Sequence, residues 1–83
     1  LTEAINKAYP DFTSRLYQYY PKLSSHELRV CCLTKIGMSR TQMAELLSHS
    51  VSSISNTLSR LYTKITGEKG SVQKMTEFLY KLV

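Results

Sequence analysis

The chain has no tryptophan, two prolines, three glycines, six acidic side chains and two cysteines among 83 residues. Each shortage excludes something. So few helix breakers leave little room for a linker-like or low-complexity chain, and helix becomes the expected element. Cys31 and Cys32 are neighbours in what reads as a helix, where adjacent side chains diverge, so they do not bridge each other. Free thiols fit a reducing cytoplasm. His26 and His49 add no ligand spacing to them, so neither a metal nor any other cofactor is expected. The scattered carboxylates Glu27, Glu45 and Glu77 make no acid-base pair, no Ser-His-Asp set is present and no glycine-rich loop is placed to cradle phosphate. An enzyme is not expected. No apolar run reaches the roughly eighteen residues of a membrane-crossing helix, and no leader pattern is present, so this segment is expected to make no membrane contact. The first residue is Leu1 rather than methionine, which suggests a piece of a longer protein whose other parts include sensors or a membrane tether.

What is present is a surplus of positive charge. Eleven Lys and Arg against six Asp and Glu give a net charge of +5, which favours nucleic acid, a membrane surface or an acidic protein as partner. The length suits one domain with a single modest core. The expected fold is all-α: a small helical bundle containing a helix-turn-helix, with an N-terminal helical extension over residues 1–22, a core over 23–67 and a C-terminal amphipathic helix over 68–83.

Within the extension, Leu1, Ala4, Ile5 and Ala8 make one helical stripe, and Pro10 suits the first turn of the next helix. There Phe12, Leu16, Tyr19 and Tyr20 share a face until Pro21 stops it, and the tyrosines are read as rings docked on a core rather than as stacking platforms. Ser24 and Glu27 have the capping-box spacing, so a helix starts near Ser25. Its inner face is ambiguous: Leu28, Cys31, Cys32 and Ile36 fit one stripe, and Glu27, Val30, Cys31 and Thr34 another. Gly37 ends it. Lys35 reads as a solvated charge.

Ser39 and Gln42 repeat the capping box, predicting a helix over 40–47 that buries Met43, Leu46 and Leu47 with Ala44 on its inner side. Ser48, His49 and Ser50 make a short turn, with Ser50 as N-cap of a helix over 51–66. A link this short makes the two helices cross steeply. His49 is read as an ordinary turn residue with no role. On the second helix Ile54, Leu58, Leu61 and Ile65 form the inner stripe, whereas Ser52, Asn56, Ser59 and Thr63 face away, flanked by Ser55 and Arg60. That outer face is small, polar and lightly charged, and suits close approach to another surface. After a loop over 67–70, Ser71 caps a last helix with Val72, Met75, Leu79 and Leu82 on one stripe and Phe78 beside it.

With these elements placed, residues 23–67 resemble the DNA-binding domain of LuxR-type (GerE-like) bacterial regulators. The resemblance rests on Leu23, Ser24, Glu27 and Val30, on Gly37, Met38 and Ser39, on Ala44 and Leu47, on Ser53 and Ile54, and on Lys64, Ile65, Thr66 and Gly67. His26 stands where that family usually has Arg, Ser48 where it has Gly, and His49 where it favours Ile or Val. Ser55 and Thr57 replace its usual Lys and His. The resemblance implies sequence-specific binding of double-stranded DNA as the output domain of a transcriptional regulator, with the helix over 51–66 in the major groove and a cytoplasmic, nucleoid-associated location. Base-edge candidates are Ser52, Ser55, Asn56 and Ser59, Asn56 because its amide matches adenine N7 and N6. Phosphate candidates are Ser39, Arg40, Thr41, Ser53, Thr57, Arg60 and Lys64. The C-terminal helix either completes the core or pairs with its twin in a homodimer, and spacing alone leaves both open. The alternative is a helix-turn-helix interaction module that binds RNA polymerase or another protein.

Overall fold

A computed structural model of the chain describes residues 7–82, so Leu1, Ala4 and Ile5 of the expected first stripe lie outside the described residues. Ala8 is exposed. Among the described residues there are five helices: α1 (Phe12–Tyr19), α2 (Ser25–Lys35), α3 (Arg40–Leu47), α4 (Val51–Thr66) and α5 (Val72–Lys81). The architecture is an all-α bundle in which α4 packs against α2, α3 and α5, and α2 also packs against α3 and α5.

Local chemistry sets most helix starts. The Ser24 and Ser39 hydroxyls accept from the backbone N–H of Glu27 and Gln42, at 3.1 Å each, while those two side chains accept from the cap N–H groups at 2.9 and 3.0 Å. Both reciprocal boxes satisfy backbone donors that the first turn leaves free. Ser50 and Ser71 cap α4 and α5 by accepting from Ser53 N–H and Lys74 N–H, at 3.1 Å each. α1 differs: Asp11 makes no side-chain cap bond, and Pro10 precedes the helix instead of lying in its first turn.

The helix ends are equally local. Met38 N–H donates to Leu33 C=O and Gly37 N–H to Thr34 C=O, at 3.0 Å each, around a left-handed Gly37 at φ 91°. This is the Schellman closure. α3 ends the same way, with His49 N–H on Ala44 C=O at 2.9 Å, but here Ser48 takes the left-handed conformation at φ 57°.

Three expectations about faces are corrected. On α2 the buried face is wider than either proposed stripe: Val30, Cys31 and Thr34 of the second are buried and so are Cys32 and Leu33, while Ile36 of the first is 49% exposed, because α3, α4 and α5 enclose the helix from different sides. On α3 Leu46 is 60% exposed instead of buried. Met43, Ala44 and Leu47 centre the inward direction, and at about 100° per residue Leu46 points well away from it. On α1 Phe12 and Leu16 are fully buried, but Tyr19 is exposed and rests edge-on against Phe78, with centroids 5.2 Å apart.

Lys35 is structural rather than merely solvated. Its ammonium donates to the carbonyls of Leu79, Tyr80 and Leu82 at 3.1, 3.2 and 2.9 Å, and lies 5.1 and 5.6 Å from the ring centroids of Tyr9 and Phe12. A cation at the carbonyl end of α5 satisfies acceptors the helix leaves free and opposes its dipole. Met75 and Leu79 of α5 are fully buried, so α5 completes the core.

Candidate nucleic-acid interface

The short turn after α3 brings α4 across the molecule with its inner stripe, Ile54, Leu58 and Leu61, sealed in the core. Ile65 is only half-buried. Opposite that stripe Ser52, Asn56 and Arg60 are exposed, with Ser53 and Thr57 half-buried beside them. Together with Lys64 from the last turn and Ser24, His26 and Glu27 from the start of α2, they line an open polar groove of about 560 Å³. Sequence spacing placed Ser52, Asn56 and Arg60 on this outer face, and the resemblance added Ser53 and Thr57. Spacing had no means of placing the α2 wall.

The other candidates go elsewhere. Ser39, Arg40 and Thr41 line a second cavity of about 330 Å³ that also includes Val51, Val72 and Tyr80. The Arg40 guanidinium donates to the Ser55 hydroxyl at 2.9 Å, so Ser55 ties α4 to α3. Ser59 is half-buried rather than outward, because Gly70 closes on its backbone carbonyl, and Thr63 donates its hydroxyl to that same carbonyl at 3.4 Å.

The groove is polar, and one of its cations is already engaged. Lys64 donates to a Glu27 carboxylate oxygen at 3.0 Å, and its ammonium lies 5.8 Å from the Tyr20 ring centroid. Burial pushes the Glu27 carboxyl up, but hydrogen bonds from Ser24 and Lys64 outweigh it and hold the group below its ordinary value of 4.5. The Lys64 ammonium is pushed up by the same carboxylate. Since the Glu27 value is depressed in the fold, its stabilisation is complete above pH 4.5 and is lost as pH falls through the lowered folded value.

Glu27→Gln separates two roles of this residue. An amide side chain can still accept from the Ser24 N–H, keeping the capping box, but it releases Lys64 and removes a negative charge from the groove. The expected result is a stability loss of about 1 kcal/mol or less by urea denaturation, as for an exposed ion pair. A groove that binds an anion should bind it several-fold more tightly in the variant.

His26 and His49 are the residues the spacing did not single out. The His26 ring nitrogen Nε2 lies 3.3 Å from the Thr57 hydroxyl, and the two imidazole centroids are 4.5 Å apart with ring planes tilted by 48°. No local pattern marks such a contact; only the substitution of His for Arg within the resemblance drew attention to His26. Burial, then the neighbouring His49, lowers His26 from its ordinary value of 6.5, against a raising influence from Glu27.

The thiols take no part. Cys31 and Cys32 are buried in the core and burial pushes both thiols up, Cys31 strongly, which keeps them protonated. Among the described residues no three His, Cys, Asp or Glu side chains converge on a metal-sized site, and no helix is long and apolar enough to cross a membrane. No family model, curated protein or solved structure matches the chain.

Proposed function

We propose that the chain binds double-stranded DNA sequence-specifically, as the output domain of a cytoplasmic bacterial transcriptional regulator of the LuxR type. The observation that carries this reading is the uncovered arc of α4, where Ser52 and Asn56 stand exposed with Arg60 one turn further on, behind a helix-turn-helix connection of Ser48, His49 and Ser50. Side chains this short let a helix approach base edges closely. Asn56 is the base reader and Ser52 assists it. Arg60, farther along α4, holds a phosphate, and Arg40 reaches the backbone from α3 while bracing Ser55.

The described residues offer one reading helix, α4, and their backbone spans 29 Å along its longest axis, whereas successive major grooves lie roughly 34 Å apart. One copy therefore reads one groove, and a two-groove site calls for a second copy, docked through α5. A lightly charged reading helix gains most from such pairing.

Anisotropy with labelled duplex at low and moderate salt tests the reading. Asn56→Ala should cost about 1–3 kcal/mol on the preferred site and little on others, whereas Arg60→Ala should weaken all sequences alike and reduce the salt slope by about one. Failure to bind any duplex at low salt would sink the proposal. It would leave the second reading, a protein-binding module for a partner such as RNA polymerase. That reading is favoured by the internal engagement of two candidate phosphate-binding cations, Lys64 of the groove by Glu27 and Arg40 beside the second cavity by Ser55.

A further inference from the structure

The imidazole of His26 sits where three elements meet: α2 carries it, Thr57 of α4 contacts one edge, and the tilted ring of His49 in the α3–α4 turn lies against it. The hydrogen bonds fix its tautomer. The Thr57 hydroxyl donates its only proton to the Ser53 carbonyl at 3.0 Å, so its oxygen accepts from His26 Nε2–H at 3.3 Å. Nδ1 is therefore the nitrogen that takes a further proton.

The charged and titratable groups around it are few. Glu27 and Arg29 come from α2, His49 from the turn, and Arg60 and Lys64 line the same groove from α4, while Glu45 of α3 is exposed. The only carboxylate among the groove-lining residues, Glu27, is committed to Lys64. Without DNA, a proton on His26 has no unshared counter-charge in the groove. A phosphate supplies one.

We infer that His26, held between Thr57 and His49, is a proton-linked phosphate contact that takes up a proton at Nδ1 when DNA enters the groove. The inference rests on the DNA-binding reading and adds a regulation to it. Affinity should rise as pH falls, by about tenfold for each unit by which the phosphate raises His26. Stability of the free protein should move the other way. His26 is depressed in the fold, so its contribution is present above its ordinary value of 6.5 and is lost as pH falls toward the folded value.

The test is anisotropy with a labelled mixed-sequence duplex at about pH 7.5 and about pH 5.5, either side of the ordinary imidazole value. Circular dichroism confirms that each variant is folded. Wild type should bind roughly tenfold more tightly at the lower pH. His26→Gln should remove that difference, and His26→Arg should bind tightly at both. In ring NMR of the DNA-free chain, His49→Gln should move the His26 midpoint upward. Equal pH dependence in wild type and His26→Gln, with duplex binding intact, overturns the inference alone; an unmoved His26 midpoint overturns the coupling to His49. Absence of duplex binding at both pH values and low salt overturns the DNA-binding reading, and this inference with it.

Discussion

Gly70→Ala is expected to lower the unfolding free energy by about 3 kcal/mol and the melting temperature by on the order of 15 °C. The cause is space. A Cβ on Gly70 would collide with the backbone carbonyl of Ser59 and stand 3.1 Å from the Thr63 hydroxyl oxygen. A flexible side chain could swing aside, but the Ser59 carbonyl belongs to the middle of α4 and cannot move without disturbing the hydrogen-bond ladder of that helix. The loop must lift instead, and Ser71, which caps α5 through Lys74 N–H, is the very next residue. Lifting it loosens Met75 and Leu79 from the core, where both are fully buried. Gly67→Ala is the control. Its Cβ would meet nothing within 4 Å, and only the left-handed φ of 76° is unfavourable, at a cost of about 1 kcal/mol. Urea denaturation of the two variants decides the matter: if Gly70→Ala unfolds as readily as Gly67→Ala or less so, the close packing of loop on helix does not limit stability.

Features encoded within one helical turn were legible in the sequence. Ser24 with Glu27, Ser39 with Gln42, Ser50 and Ser71 announce helix starts because a capping side chain and its backbone partner lie three residues apart. The all-α bundle follows from these caps and from the stripes on α4 and α5. Features that depend on distant partners were not legible. Five consecutive residues of α2 are buried because three helices surround it, and no periodic pattern describes a helix enclosed on several sides. Leu46 belongs to an apolar pattern yet faces outward, because a short helix has room for one narrow contact edge. Lys35 reaches carbonyls 44 to 47 residues away, and Lys64 meets Glu27 across 37. The candidate site divides along the same line. On its α4 wall, Ser52, Asn56 and Arg60 could be placed from helical spacing, while Ser53 and Thr57 were candidates only through the resemblance; its α2 wall, with His26 and Glu27, could not be placed.

The largest effect is expected at the element that helical spacing presented as an extension. Phe12→Ala should cost about 4 kcal/mol, a large share of the roughly 5–15 kcal/mol available to a domain. α1 has little else to hold it. Its N-cap makes no side-chain bond, the helix is far shorter than an isolated one needs to be, and the close backbone packing is among α2, α3, α4 and α5. Docking therefore falls to Phe12 and Leu16, both at 0% exposure. Truncating Phe12 removes an aromatic ring from the core and also one of the two faces over which the Lys35 ammonium sits. Because that ammonium caps the last carbonyls of α5, the damage should spread beyond α1. Were α1 an appendage, Phe12→Ala would melt it locally and leave the main transition in place. Tyr19→Ala, at a ring 55% exposed, measures what a peripheral contact on the same helix is worth. Denaturation followed at both α1 and α5, by hydrogen exchange, should show the two helices losing protection together in Phe12→Ala. Loss confined to α1, with a midpoint no lower than that of Tyr19→Ala, would return α1 to the status of an extension.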